Sequence, residues 1–174
     1  MTEINNIKSI VESLLFASEK PLLLNRIKDV IGGSISPADI KKCVDELNSA
    51  YKSNGHSFAI NEVAGGFQIR TLSEFHPYLK KLYERRNEGI LSNAALETLS
   101  IVAYKQPINR AEIDSIRGVD SSAIVRGLME KKLIRITGRA EVLGRPLLYG
   151  TSNNFLELLG LSSIKDLPKI EEVK

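Results

Sequence analysis

Apolar residues recur at spacings of three and four through residues 5–18, at Ile7, Ile10, Val11, Leu14, Leu15 and Ala17. That period lays one apolar face along a helix. Lys20-Pro21 ends it, because the residue before a proline is pushed out of the helical region. A shorter helix is predicted over 24–31, stopped by Gly32-Gly33. Ser36 and Pro37 then offer an N-cap and a first-turn proline. They open a third helix to about Lys52, with Ile40, Cys43, Val44, Leu47 and Ala50 or Tyr51 facing inward. Asn54-Gly55 closes it.

The period then changes. Phe58, Ile60 and Val63 come close to alternation, and Phe67, Ile69 and Thr71 do so again after Gly65-Gly66. Two short strands joined by a Gly-Gly turn are expected to form a hairpin. Three helices followed by a hairpin is the outline of a winged helix-turn-helix module. A further helix over 74–86 carries Phe75, Tyr78, Leu79, Leu82 and Tyr83, and Lys80, Lys81, Arg85 and Arg86 give it a basic end. Asn87-Glu88-Gly89 reads as a joint.

The second half repeats the order, and such a repeat fixes the architecture. Ser92 caps a helix through Leu96, Leu99, Ile101, Val102 and Ala103, and Gln106-Pro107 stops it. Asn109 caps a short helix with Ile113 and Ile116, stopped by Gly118. Asp120 or Ser121 caps a third, with Ala123, Ile124, Val125, Leu128 and Met129. Strands are predicted over 133–137 and 147–151, around a wing-length loop at 138–146. Glu12-Ser-Leu-Leu-Phe-Ala sets against Glu97-Thr-Leu-Ser-Ile-Val, Pro21 against Pro107, Ile27 against Ile113 and Gly32 against Gly118. The expected fold is therefore mainly α with small β-hairpins (α+β): two tandem winged-helix domains, at 1–88 and 89–174.

Composition narrows the function. With 43% hydrophobic and 26% charged residues the chain is globular in character, and with no Trp its cores must be mainly aliphatic. A single cysteine, Cys43, leaves no intrachain disulfide and no multi-thiolate metal site, and reads as a small core residue. The N-terminal stretch has no unbroken apolar region of a signal peptide. No run approaches the ~20 apolar residues of a membrane span, so a cytoplasmic location is expected.

Candidate chemistry is sparse. His56 and His76 lie in or beside turns without further ligands at metal-site spacing. The stretch Val63-Ala-Gly-Gly-Phe67 lacks the third glycine and the following helix of a dinucleotide fingerprint. No Walker A motif is present. No enzyme, no cofactor and no metal are expected; a hydrolase built on Cys43 or a histidine would have to unite groups that lie far apart in sequence. Net charge is +3, from 24 basic and 21 acidic residues, too balanced for a strong nucleic-acid binder. In the third helix of each module, Lys41 and Lys42 meet Asp39, Asp45 and Glu46, and Arg126, Lys131 and Lys132 meet Asp120 and Glu130. Phosphate attraction scales with uncompensated charge. Arg139 and Arg145 in the wing, or the basic cluster at 80–86, leave room for weak nonspecific DNA contact; otherwise they form a solvated face. The alternative function is a winged-helix transcription regulator.

The corner Ala103-Tyr-Lys-Gln-Pro-Ile108 admits two readings. It is either packed internally or an exposed contact patch, since Tyr104, Arg110 and Arg117 are residue types that anchor interfaces. At these residues a resemblance enters. Residues 91–119, LSNAALETLSIVAYKQPINRAEIDSIRGV, resemble the signature of bacterial segregation and condensation protein B. GRPLLYGT at 144–151, VAGGFQIRT at 63–71 and the closing segment 161–168 are similar to further blocks of that family. Ala140 stands where the family often has a basic wing residue, and the chain ends at Lys174 where many relatives continue.

The resemblance implies two winged-helix domains and a homodimer formed chiefly through the first. It also implies binding to the kleisin subunit, segregation and condensation protein A. Through that subunit the protein would serve the structural-maintenance-of-chromosomes ATPase in chromosome condensation and partition, with DNA contact indirect or weak and nucleoid association by way of the complex. Combined with side-chain type, it points to Tyr104, Lys105, Gln106, Pro107, Arg110, Arg117, Arg145, Pro146, Leu148 and Tyr149 for kleisin, and to Leu14, Leu22 and Leu24 for dimerisation.

Overall fold

The computed structural model describes residues 2–32, 35–83 and 91–169. It divides into two compact units, Met1–Arg86 and Asn87–Lys174. In the first, α1 (Thr2–Ala17) is followed by β1 (Leu22–Leu23), α2 (Leu24–Ile31), α3 (Pro37–Ser53), β2 (Phe58–Val63), β3 (Gly66–Thr71) and α4 (His76–Tyr83). The second has α5 (Asn93–Lys105), β4 (Ile108–Asn109), α6 (Arg110–Arg117), α7 (Ser122–Glu130), β5 (Ile134–Arg139), β6 (Leu147–Thr151) and α8 (Asn153–Leu159). Each unit holds a three-stranded antiparallel sheet with its last strand in the middle, β1-β3-β2 and β4-β6-β5. This is the element order of a winged helix-turn-helix.

Local chemistry sets the boundaries. The Ser36 hydroxyl accepts from the Asp39 amide while the Asp39 carboxylate accepts from Ser36, a reciprocal cap behind Pro37. Those hydrogen bonds hold the Asp39 carboxyl below its ordinary range. Asn109 and Glu112 cap α6 in the same way. Gly118 closes α6 at φ 72°, in the left-handed region open to glycine.

Each core is mainly aliphatic. Val11, Ile27, Ile40 and Val63 are fully buried in the first unit, and Val102 and Ile113 in the second. Ile27 and Ile113 hold equivalent places, as the repeat predicts. For the leading helices the repeat is offset differently: Val11 and Leu15 are buried where α5 buries Thr98 and Val102, and Leu14, set against Leu99, is only half-buried. Adjacent apolar residues in a helix leave the facing one ambiguous from sequence.

Tyr51 of α3 is buried and donates to the Glu12 carboxylate at 2.8 Å, tying α3 to α1. Burial, reinforced by that carboxylate, pushes its hydroxyl well above the ordinary range. An amide clasp fixes the hairpin: Asn48 accepts from the Ile60 N–H at 2.8 Å and donates to its carbonyl at 2.9 Å.

The structure corrects several expectations. The hairpin turn is Ala64-Gly65, at φ 50° and 76°, not Gly65-Gly66. Gly66 is a buried residue of β3, paired with Leu23 and Val63. A Cβ there would lie 2.8 Å from the Leu22 carbonyl oxygen, which belongs to rigid backbone. β1, β4 and α8 were not expected. Residues 74–86 begin with a 3-10 turn, Ser73–Phe75, before α4; Arg85, Arg86 and the joint at 87–89 lie outside the described residues.

Gly66→Ala should therefore cost the first unit about 1–3 kcal/mol. Gly127→Ala, inside α7 with open space around the glycine, should stabilise the second by up to about 1 kcal/mol. Urea unfolding of the two variants checks both signs.

Candidate functional site

One strand pair assembles the candidate surface of the second unit. β4 sets Ile108 opposite Tyr149 and Asn109 opposite Leu148, so the corner after α5 lies against the block at 144–151. The side chains proposed there divide into inward and outward sets.

Three point inward. Gln106 accepts from the Thr151 N–H at 2.8 Å and donates to the Ala103 carbonyl at 3.1 Å, clasping the end of α5 to β6. A Cβ on Gly150 would come within 2.8 Å of the Gln106 amide oxygen, so glycine leaves room for the clasp. The Arg117 side chain is only 6% exposed. Its guanidinium donates to Glu97 and to the Ser121 hydroxyl, both at 3.1 Å. The Ser121 N–H donates to Asp114 at 2.8 Å, so Arg117 holds the α5–α6–α7 junction together. Tyr149 is buried in the core beside Ile108, Ile113 and Leu133. Arg117 and Tyr149 are thus not surface anchors.

The outward set is smaller. Tyr104 is 37% exposed, and its hydroxyl donates to the Pro168 carbonyl at 2.8 Å. The closing segment reaches it there, with Ile164 and Leu167 packed on the core. Lys105 and Pro107 are exposed. Arg110 is exposed and donates to the Ser122 hydroxyl at 3.0 Å. Pro146 and Leu148 are half-buried, and Arg145 is exposed in the turn of the wing. Lys105, Pro107, Ile108, Glu112, Ser115 and Ile116 line an open groove of about 360 Å³. Ile116, the other isoleucine of that short helix, is 54% exposed at the groove's edge while Ile113 takes the core position. A helix of eight residues needs only one buried anchor.

In the first unit Leu14, Leu22 and Leu24 are half-buried against their own core, and Leu22 lies in β1. They are largely spent on folding. The apolar side chains that stand free lie elsewhere. Phe16 at the end of α1 is 83% exposed and Leu23 51%. On α4, Tyr78, Leu82 and Tyr83 are 72%, 71% and 57% exposed. Together with Phe75 and Leu79 they keep the three-and-four spacing of an apolar stripe, and α4 buries none of its residues. The stripe was legible in the sequence; that its own unit leaves it uncovered was not.

Among the described residues no group of three His, Cys, Asp or Glu could hold a metal ion. Cys43 is buried, and burial pushes its thiol up. His56 packs beside Tyr51 and Phe58, with ring centroids 5.4 and 5.1 Å away. No helix of the described residues is long and apolar enough to cross a membrane.

Arg117→Ala should lower the stability of the second unit by about 1.5–3 kcal/mol, the range for hydrogen bonds to a charged group, while Lys105→Ala leaves it within about 0.5 kcal/mol. Thermal melts of the two variants distinguish the structural residue from the surface one.

Comparison with known proteins gives a consistent picture. A family model described as segregation and condensation complex subunit ScpB matches residues 9–170. The chain is 44% identical over 166 residues to the segregation and condensation protein B of Syntrophotalea carbinolica, covering 95% of this chain and 83% of that protein. It is 42% identical over 165 residues to that of Clostridium tetani, covering 95% and 86%. Among solved structures, ScpB from Mycobacterium tuberculosis is similar at 26% identity and a TM-score of 0.43, over 91% of this chain and 98% of that one. A structure described as a dimer of the ScpB N-terminal domain complexed with a ScpA peptide is similar at 34% identity and a TM-score of 0.40, over 45% of this chain and 96% of that one.

Proposed function

We propose that this chain, which belongs to the segregation and condensation complex subunit ScpB family, is a non-enzymatic dimeric scaffold that holds the kleisin subunit, segregation and condensation protein A. Through the kleisin it joins the structural-maintenance-of-chromosomes ATPase in chromosome condensation and segregation, and the ATP chemistry belongs to that partner. On this reading the chain works in the cytoplasm and meets the nucleoid by way of the complex.

The observation that carries the reading is the surplus of large apolar side chains left outside two closed cores. Tyr78, Leu82 and Tyr83 of α4 stand mostly in water. Covering such a side chain gains about 1.5–3 kcal/mol, so α4 offers a second polypeptide what its own unit does not use. We assign α4, with Phe16, to the dimer contact in place of Leu14, Leu22 and Leu24. The related N-terminal domain is described as a dimer carrying a ScpA peptide, which agrees with a protein-binding role for this half.

For the kleisin we assign the groove beside the α5 corner, with Lys105, Pro107 and Ile116 among its walls and Tyr104 and Arg110 as flanking anchors. Aromatic and arginine anchors beside apolar side chains, here Pro107, Ile108 and Ile116, are how protein interfaces concentrate their affinity.

Light scattering on size-exclusion chromatography tests both assignments. The chain alone should run as a dimer and Leu82→Glu as a monomer with unchanged helix content. With purified kleisin, Ile116→Glu should weaken capture at least tenfold, about 1.4 kcal/mol, without altering the dimer. A monomeric parent chain, or full capture by Ile116→Glu, contradicts the corresponding half.

A further inference from the structure

We propose that the wing of the second unit is a direct contact for duplex DNA, in which Leu143 and Val142 press into a groove between phosphates met by Arg139 and Arg145. This is independent of the kleisin groove.

The wing is a held structure. The Arg145 N–H donates to the Val142 carbonyl at 2.9 Å, closing a four-residue turn. Gly144 takes its third place at φ 83°, as the type II geometry requires. At the neck, the Ala140 N–H donates to the Pro146 carbonyl at 2.9 Å, and the Arg139 guanidinium to the Arg145 carbonyl at 3.2 Å. Leu143 takes the corner of that turn. It is 104% exposed, and Val142 60%, so both lie outside the core of their own unit. A leucine held on a braced turn gains only from something that covers it.

Charge selects what covers it. Between Arg126 and Arg145 there are six basic residues, Arg126, Lys131, Lys132, Arg135, Arg139 and Arg145, against Glu130 and Glu141. All six are exposed. The whole chain carries an excess of only +3, so this segment holds more than the entire surplus. A polyanion is the matching partner. Arginines beside an apolar wedge suit a minor groove, where the cation meets the narrow groove's potential and the wedge meets the base edges or the step between them. An acidic peptide would satisfy the arginines and leave Leu143 without a recess. Nothing in this pattern reads sequence, so the contact is nonspecific and fades with salt.

The test is fluorescence anisotropy of the full chain with a labelled duplex of about thirty base pairs, titrated at several salt concentrations. Binding should be measurable near 50 mM salt, the low end of the usual range, and should weaken steeply above it. Replacing Arg139 and Arg145 together by Ser should flatten the slope of log K against log salt by about two. Leu143→Ser should lower affinity by about tenfold with the slope unchanged, since it removes covered apolar area and no charge. Thermal melts equal to wild type show that both variants fold. No binding at low salt overturns the proposal, as does wild-type binding by both variants. So does tighter binding to phosphatidylserine vesicles with the same sensitivity to the variants, which would make the wing a lipid contact.

Discussion

Each hairpin is held to its helices by a two-residue strand and one amide side chain. In the first unit, β1 pairs Leu22 with Phe67 and Leu23 with Gly66, and Asn48 takes both polar groups of Ile60. In the second, β4 pairs Ile108 with Tyr149, and Gln106 clasps Thr151. Small aliphatic cores have little area to spend, so the sheet must sit close. Gly66 and Gly150 mark how close: a methyl group at either would meet another part of the chain at 2.8 Å. The same closeness satisfies the buried backbone groups, which would be costly unpaired.

That constraint sorts side chains into those used by the fold and those left for partners. Arg117 and Tyr149 are of the types that dominate interfaces, yet here they complete a junction and a core, and Gln106 closes a clasp. Plain aliphatic and aromatic residues on short helices, Leu82, Tyr78 and Ile116 among them, are what remains outside. The proposed role in holding other polypeptides fits that remainder better than it fits the residues with the more conspicuous chemistry.

Much of the fold was legible in sequence because helices announce themselves through period and punctuation. The limits of α2 and the caps at Ser36, Ser92 and Asn109 followed from residues the backbone geometry requires. β1 and β4 were not legible, since two residues have no period, and α8 carries too short a pattern to stand out. The candidate site was legible as a neighbourhood: the blocks at 91–119 and 144–151 do meet, through β4 and β6. Which side chains of that neighbourhood face outward was not, because side-chain type does not tell which face of a turn is covered. Phe16 and Ile116 show the converse, apolar residues in apolar patterns that nonetheless stand in water.

On the proposed reading, other polypeptide chains cover these leftover apolar surfaces. Oxidative side-chain footprinting reads this directly, on the dilute chain, on the concentrated chain and on the chain saturated with kleisin. Tyr78, Leu82 and Tyr83 should lose most of their reactivity on concentration, and Tyr104 and Ile116 on adding kleisin, while Leu143 stays reactive in both. Unchanged reactivity of the α4 residues and of Ile116 in all three samples would contradict it.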